Sequence, residues 1–242
     1  MICIGSMKTL VVPDVHNKVS IVEKILNNEN DADEVIFLGD WFDDFNDTPN
    51  DVCDVCDFIK TINNDTKMIF LWGNHDMYYH PNRSFHVVGK GHSHEKQMMI
   101  NRIMNNEDWN KFKFYHFSQN FLCSHAGITS KNSWLFDKSS FNSDIFEQII
   151  NQAEEVFKNK ENHFMFRAGY SRGGMLPVGG ITWCDFHKDF EPYDNLNQIF
   201  GHTFVEKPSY VYAENSVNLC LDTNLQHYAI INDSELEIHA VS

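Results

Sequence analysis

Apolar runs and polar loops alternate in a regular order along the first third of the chain. Residues 8–16, KTLVVPDVH, read as a buried strand that ends in a polar loop. Residues 19–28, VSIVEKILNN, set Ile21, Val22, Ile25 and Leu26 at helical spacing. DEVIFLGD, at 33–40, is a second buried strand. Thr48 and Pro49 then predict a helix start, with Thr48 as the cap and proline at the first helical position. The apolar face of that helix is Val52, Val55, Cys56, Ile59 and Ile62. KMIFLWGNHD, at 67–76, is a third strand. A β-α-β-α-β order with nearly continuous apolar strands predicts a largely parallel sheet covered by helices on both faces.

The pattern then changes. Residues 80–119 are polar and rich in His and Asn, and predict one helix over 95–106. NFLCSHAGI, at 120–128, is a fourth strand. Residues 129–180 read as an insertion or cap within one domain spanning 1–242. It holds a helix from Asp144 to Lys158 that carries Ile145, Ile149, Ala153, Val156 and Phe157 on one side. The last third alternates short strands and turns, which predicts an antiparallel sheet or sheet edge. No repeat, low-complexity segment or linker divides the chain.

Composition narrows the class. The 242 residues are 42% hydrophobic and 22% charged, as in globular proteins. No apolar run approaches the roughly 18 residues of a membrane span, and the start lacks a basic region and a long apolar stretch, so neither span nor signal peptide is expected. Met7 offers an alternative start. A net charge of −15 makes the chain a poor partner for nucleic acid or an anionic membrane surface. Of six cysteines, Cys3, Cys123, Cys184 and Cys220 sit in or beside apolar runs, as buried thiols do, and no disulfide framework is apparent. That usage predicts a cytoplasmic setting. Cys53 and Cys56 form a CxxC inside a helical pattern with no second pair, so they read as helix residues rather than a zinc or redox site.

The candidate chemistry lies where the apolar runs stop. Asp14 and His16, Asp40 and Asp43, Asn74 with His75 and Asp76, His125, and His202 each follow such a run. In a parallel α/β sheet the carboxyl ends of the strands share one edge, where ligands bind. Carboxylates, imidazoles and an amide on one rim suit divalent first-row ions such as Mn²⁺, Fe or Zn²⁺.

In order, the motifs are DxH (14–16), GDxxD (39–43), GNHD (73–76), a lone His125 and GH (201–202). Together they resemble the calcineurin-like metallophosphoesterases. HAGI (125–128), FGHT (200–203) and ITWCD (181–185) are most similar to the phosphoprotein phosphatase and bacterial diadenosine tetraphosphatase branch. The resemblance implies an α/β four-layer sandwich, two mixed β-sheets flanked by helices. It implies two divalent metal ions, Mn²⁺ foremost, with Fe, Zn²⁺ and Ni²⁺ as alternatives. Asp14, His16 and Asp40 would hold the first. Asp40 would bridge, and Asn74, His125 and His202 would complete the second. His75 would donate a proton to the leaving alkoxide, oriented by Asp43, and Asp76 would support the ligands from behind.

The activity implied is hydrolysis of a phosphomonoester, in a phosphoprotein or a small molecule, by attack of metal-bound hydroxide. Hydrolysis of dinucleoside polyphosphates is the alternative. A nuclease or other phosphodiesterase fits less well with the acidic charge. A non-catalytic scaffold fits poorly with intact positions at every ligand and at His75.

Two departures from the family pattern matter. The branch reads GDxxDRG, whereas here Asp44 stands where its phosphate-binding arginine would be. Among Arg83, Arg102, Arg167 and Arg172, the favoured phosphate clamp is Arg172, which precedes ITWCD, and Arg167 is next. Many phosphodiesterases read GHxH, but Phe204 replaces the last histidine here. Gly91-His92-Ser93-His94 has that spacing in the wrong place and reads as a polar surface loop or lid. Trp41 and Phe42, inside a ligand loop, are candidates for substrate contact. His80, His116, His163, His187, His227 and His239 read as structural.

Overall fold

The first apolar runs fold as their pattern demands. In the computed structural model they form β1 (Lys8–Val12), α1 (Val19–Asn28), β2 (Glu34–Phe37), α2 (Asp51–Ile62) and β3 (Met68–Leu71). The structure describes residues 7–44, 46–81, 91–132, 141–161 and 163–242. Cys3 and Arg83 lie outside them. The polar segment holds α3 (Asn74–Tyr79), α4 (His94–Ile103), α5 (Asn106–Trp109), β4 (Phe112–Lys113) and β5 (Tyr115–Ser118). Then follow β6 (Phe121–Ser124), α6 (Ser143–Lys158), β7 (Asn197–Phe200), β8 (Ser209–Ala213), β9 (Ser216–Cys220), β10 (His227–Asn232) and β11 (Glu235–Ala240).

The strands make two mixed sheets, in the orders β11-β10-β1-β2-β3-β4 and β5-β6-β7-β9-β8. The first is parallel from β1 to β4, with the antiparallel β10–β11 hairpin beside β1. In the second, β6, β7 and β9 are parallel, and β5 and β8 are antiparallel edges. Two mixed sheets flanked by helices match what the resemblance implies. The single, largely parallel sheet read from periodicity alone covers only the first half of this arrangement.

Alternation along the strands explains how the sheets are filled. Val11, Ile36 and Leu71 of the first sheet pack with Phe121, Cys123, Ile199 and Leu219 of the second, forming the layer between the sheets. Leu10, Val12, Val35 and Phe37 point to the opposite face, into a cluster with Val22 and Ile25 of α1 and Val52, Val55 and Ile59 of α2. Both faces are therefore buried, which is why the runs look continuously apolar in sequence.

Several boundaries differ from expectation. Helix α2 starts at Asp51, not after Thr48, because the Thr48 amide and hydroxyl both donate to the Asp51 carboxylate, at 2.6 and 2.8 Å, closing a turn before the helix. The 95–106 helix ends at Ile103, and Asn105 caps the separate α5 by accepting the Glu107 and Asp108 amides. Helix α6 buries Phe146, Ile150, Ala153 and Phe157, while Ile145 is 45% exposed. The expected stripe holds at Ala153 and Phe157, but in the first two turns Phe146 and Ile150 face the core in place of Ile145 and Ile149. Trp41 and Phe42 are fully buried in the helix-side cluster, which rules them out as substrate contacts. Cys53 and Cys56 lie within α2 as free thiols, and burial raises the Cys56 thiol above its usual range. No helix among the described residues is long and apolar enough to cross a membrane.

Candidate metal centre

Each candidate ligand loop follows the carboxyl end of a strand that is paired in parallel with at least one neighbour. Asp14 and His16 follow β1, Asp40 and Asp43 follow β2, and Asn74 and His75 open α3 just after β3. From the second sheet, His125 follows β6 and His202 follows β7. Two hydrogen bonds tie the sheets together here. His125 Nδ1 donates to the Leu38 carbonyl at 2.9 Å, and the His202 amide donates to Asp14 Oδ1 at 2.8 Å.

The loops turn sharply. His16, Asp40, Asp43 and His202 all adopt positive φ, at 43°, 50°, 67° and 67°. Non-glycine residues seldom occupy this region, and it is tolerated where surrounding contacts enforce it, often at functional sites. Two glycines are required by close approach rather than by φ. A Cβ on Gly201 would lie 1.8 Å from Asp14 Oδ2, and one on Gly73 would lie 2.2 Å from Asp40 Oδ1.

These loops bring together all six ligand positions named from the sequence. Asp14, His16 and Asp40 place ligand atoms within 4.8 Å of one another, and so do Asp40, His125 and His202. Asp40 is common to both groups. Its Oδ2 is 3.7 Å from His16 Nε2 and 3.5 Å from His125 Nε2. Asn74 Oδ1 is 3.0 Å, and His202 Nδ1 3.2 Å, from His125 Nε2.

The donor set fits a cation. Because His125 gives its Nδ1 proton to Leu38, its Nε2 presents a lone pair, and that lone pair faces the Asn74 carbonyl oxygen, another acceptor. His16 Nδ1 likewise donates to the Asp43 carbonyl at 2.6 Å, which leaves its Nε2 for Asp40 or for a metal. Fixing one ring nitrogen in this way is how proteins orient metal-binding histidines. Asp14 Oδ2 is buried without any hydrogen-bond partner, a costly state that a bound cation relieves.

Electrostatics point the same way. Burial raises the Asp14 carboxyl well above its usual range, and the neighbouring Asp222 and Asp40 charges raise it further. Burial also pushes Asp40 up, but its interactions with the surrounding imidazoles, His75 and His16 among them, and the hydrogen bond from the His75 amide outweigh it and hold it low. Burial depresses His125 and, more strongly, His202, so both rings are kept neutral, as ligands must be. Asp222 is buried just after β9 and is itself raised by burial. It obeys the same strand-end rule as the other residues, and that rule would have found it.

Beside this cluster stands a second constellation. His75 Nδ1 is 2.9 Å from Asp43 Oδ2, and the His75 amide donates to Asp40 Oδ1 at 2.9 Å. Burial alone would depress the His75 ring. Asp40 and then Asp43 outweigh it and raise the pKa above the usual histidine range. Asp76 receives the Trp41 and Gly73 amides at 2.8 and 2.9 Å, so it stitches the two loops together behind the ligands.

The two arginines separate clearly. Arg172 donates from Nη2 to Thr203 Oγ1 at 2.8 Å, next to His202, and its Nε lies 2.8 Å from Asp185 Oδ2, off the N–H direction. Arg167 is exposed, and its backbone ties it into the loop around Phe164 and Gly180. Among the described residues the metal-ligand groupings include neither His92 nor His94.

The family model for calcineurin-like phosphoesterases matches residues 7–207. The chain belongs to the calcineurin-like phosphoesterase family. Such membership makes it a hydrolase of phosphoric esters. No curated protein matches the chain in sequence. Among solved structures, it is similar to the cold-active protein-tyrosine phosphatase of a psychrophilic Shewanella species, with TM-score 0.63 and 15% identity over 98% of this chain and 78% of that one. A Saccharomyces cerevisiae protein serine/threonine phosphatase with similarity to human phosphatase PP5 gives TM-score 0.52 and 14% identity over 96% and 79%. A putative diadenosine tetraphosphatase gives TM-score 0.52 and 11% identity over 97% and 93%. At these identities the likeness concerns the fold.

Proposed function

We propose that this phosphoesterase hydrolyses phosphomonoesters, in a phosphoprotein or a small molecule, with two divalent ions bridged by Asp40, Mn²⁺ foremost. The observation that carries the reading is the pair of ligand groups that share Asp40, with the His75–Asp43 pair alongside. Asp14, His16 and Asp40 would hold one ion, and Asp40, Asn74, His125 and His202 the other. Bound there, the ions would supply Lewis-acid activation of the phosphoryl group and of the attacking water.

The chain's own groups do the rest. Asp43 holds His75 Nδ1, so the opposite ring nitrogen carries the proton offered to the leaving oxygen. The Asp43 carboxylate on Nδ1 favours the protonated ring, which makes His75 the proton donor of the site. Arg172, anchored on Thr203 beside His202, would clamp a phosphate oxygen, a role its nearness to the candidate ligand His202 supports. The buried thiols suit a cytoplasmic setting.

Phosphate release should be measured with added Mn²⁺ over monoesters, diesters and dinucleoside polyphosphates, with monoesters expected to be fastest. His75→Asn should lose about 10²–10⁴-fold on alkyl monoesters, the usual contribution of a general acid. The loss should be much smaller on nitrophenyl phosphate, and metal content should not change. Equal losses on both substrates would assign His75 to phosphate positioning instead.

A further inference from the structure

The polar segment between the GNHD motif and β4 contains no residue that the family motifs assign, yet it builds the seat of Asp43. The Asp43 side chain is 2% exposed. Its Oδ2 is taken by His75, and its Oδ1 accepts from the Tyr79 hydroxyl at 2.5 Å and from the Lys96 ammonium at 2.9 Å. Lys96, in the first turn of α4, also donates to Asp47 Oδ1 at 2.6 Å and to the Gly91 carbonyl at 3.0 Å. Asp47 Oδ2 in turn accepts from Asn17, next to His16, at 2.8 Å. The His92 ring lies over Tyr79, with centroids 5.2 Å apart and planes 28° apart. The GHSH stretch thus packs against the back of the His75–Asp43 pair.

Lys96 is 5% exposed, and its three protons have three acceptors. It is therefore not a second phosphate clamp. A carboxylate held by one bond turns freely about its last torsion, because that torsion has broad wells. Held by Tyr79 and Lys96 on one oxygen, it presents the other in a fixed direction.

We propose that Lys96, with Tyr79, is a positioning residue for proton donation: it locks Asp43 through Oδ1 so that Oδ2 keeps His75 aimed at the leaving group. This rests on the reading of His75 as proton donor. Asp43, Lys96 and Asp47 form a buried charge-assisted chain that runs from α4 to the loop after β2 and, through Asn17, to the loop after β1, so α4 is coupled to the leaving-group side of the site.

The test uses the full, metal-loaded chain. Lys96→Met should lower kcat on an alkyl monoester about tenfold, the scale on which misplaced catalytic groups act. KM and metal content should hold, and kcat on nitrophenyl phosphate should stay within about twofold. In an Asp43→Asn background Lys96→Met should cost nothing further, because both changes break one unit. Equal losses on the two substrates, or an additive loss in that background, would reduce Lys96 to a scaffold role. If Lys96→Met does not fold, Asp47→Asn combined with Lys96→Met relieves the stranded carboxylate pair, and the same comparisons apply. His75→Asn serves as the reference. If it shows no leaving-group dependence, the donor reading and this proposal fall together. If it does and Lys96→Met does not, this proposal falls alone.

Discussion

His80 follows the last residue of α3, the helix that opens with Asn74 and His75, and it sits in an aromatic box. Its ring lies 5.2 Å from Trp72, 5.6 Å from Trp109 and 5.0 Å from Phe157, measured between centroids. Burial pushes its pKa down to about 4 from an ordinary value of 6.5. Between those values the unfolded chain binds a proton that the folded one refuses. Stability is therefore fully present above pH 6.5 and drains away as pH falls toward 4. At about 1.4 kcal/mol per pH unit, the loss reaches about 2 kcal/mol by pH 5 and about 3 kcal/mol at its limit. His80→Phe keeps a ring in the box and removes the titration. Urea unfolding of both proteins at pH 7 and pH 5, at equal metal load, isolates the residue because every other group titrates in both. The parent should lose about 2 kcal/mol more than His80→Phe on acidification. Equal losses would show that His80 takes up its proton in the fold, and the reasoning from burial would be wrong.

Two other outcomes follow from geometry. Arg172→Ala should lower kcat/KM tenfold or more, since charge-assisted phosphate contacts are worth about 1.5–3 kcal/mol, while Arg167→Ala should change it less than about twofold; unchanged kinetics in both would place the clamp elsewhere. Phe146→Ala, at the buried face of α6, should cost about 3–5 kcal/mol in denaturant unfolding, and Ile145→Ala one position earlier no more than about 0.5 kcal/mol; comparable costs would contradict the observed stripe.

The sequence was most legible where chemistry and burial coincide. Strands β1 to β3 are buried on both faces, so their runs are unmistakable, and the polar residues that end them are the ones the structure gathers at one rim. Strands β4 and β5 were invisible because FK and YHFS show no pattern of their own; they are strands through pairing with β3 and β6. Helix α3 is six residues long, too short for a period to show. In α6 the apolar residues come as adjacent pairs, Ile145 with Phe146 and Ile149 with Ile150, and only the neighbouring core decides which of each pair turns inward. Lys96 gave no signal at all. A lysine in a polar helix reads as solvated, and only the distant Asp43 and Asp47 make it otherwise.

Strand β1 leads directly to Asp14 and His16, yet one of its edges is covered by a segment far from it in sequence: Lys8 lies opposite Asn232 and Val11 opposite Ala229. During synthesis on the ribosome, that edge stays open until β10 (His227–Asn232) has emerged. A chain stopped after Leu225 would carry every candidate metal ligand named above and still expose the N–H and C=O row of β1, a template for pairing with a second such chain. For this protein, loss of the β10 segment threatens aggregation before it threatens chemistry.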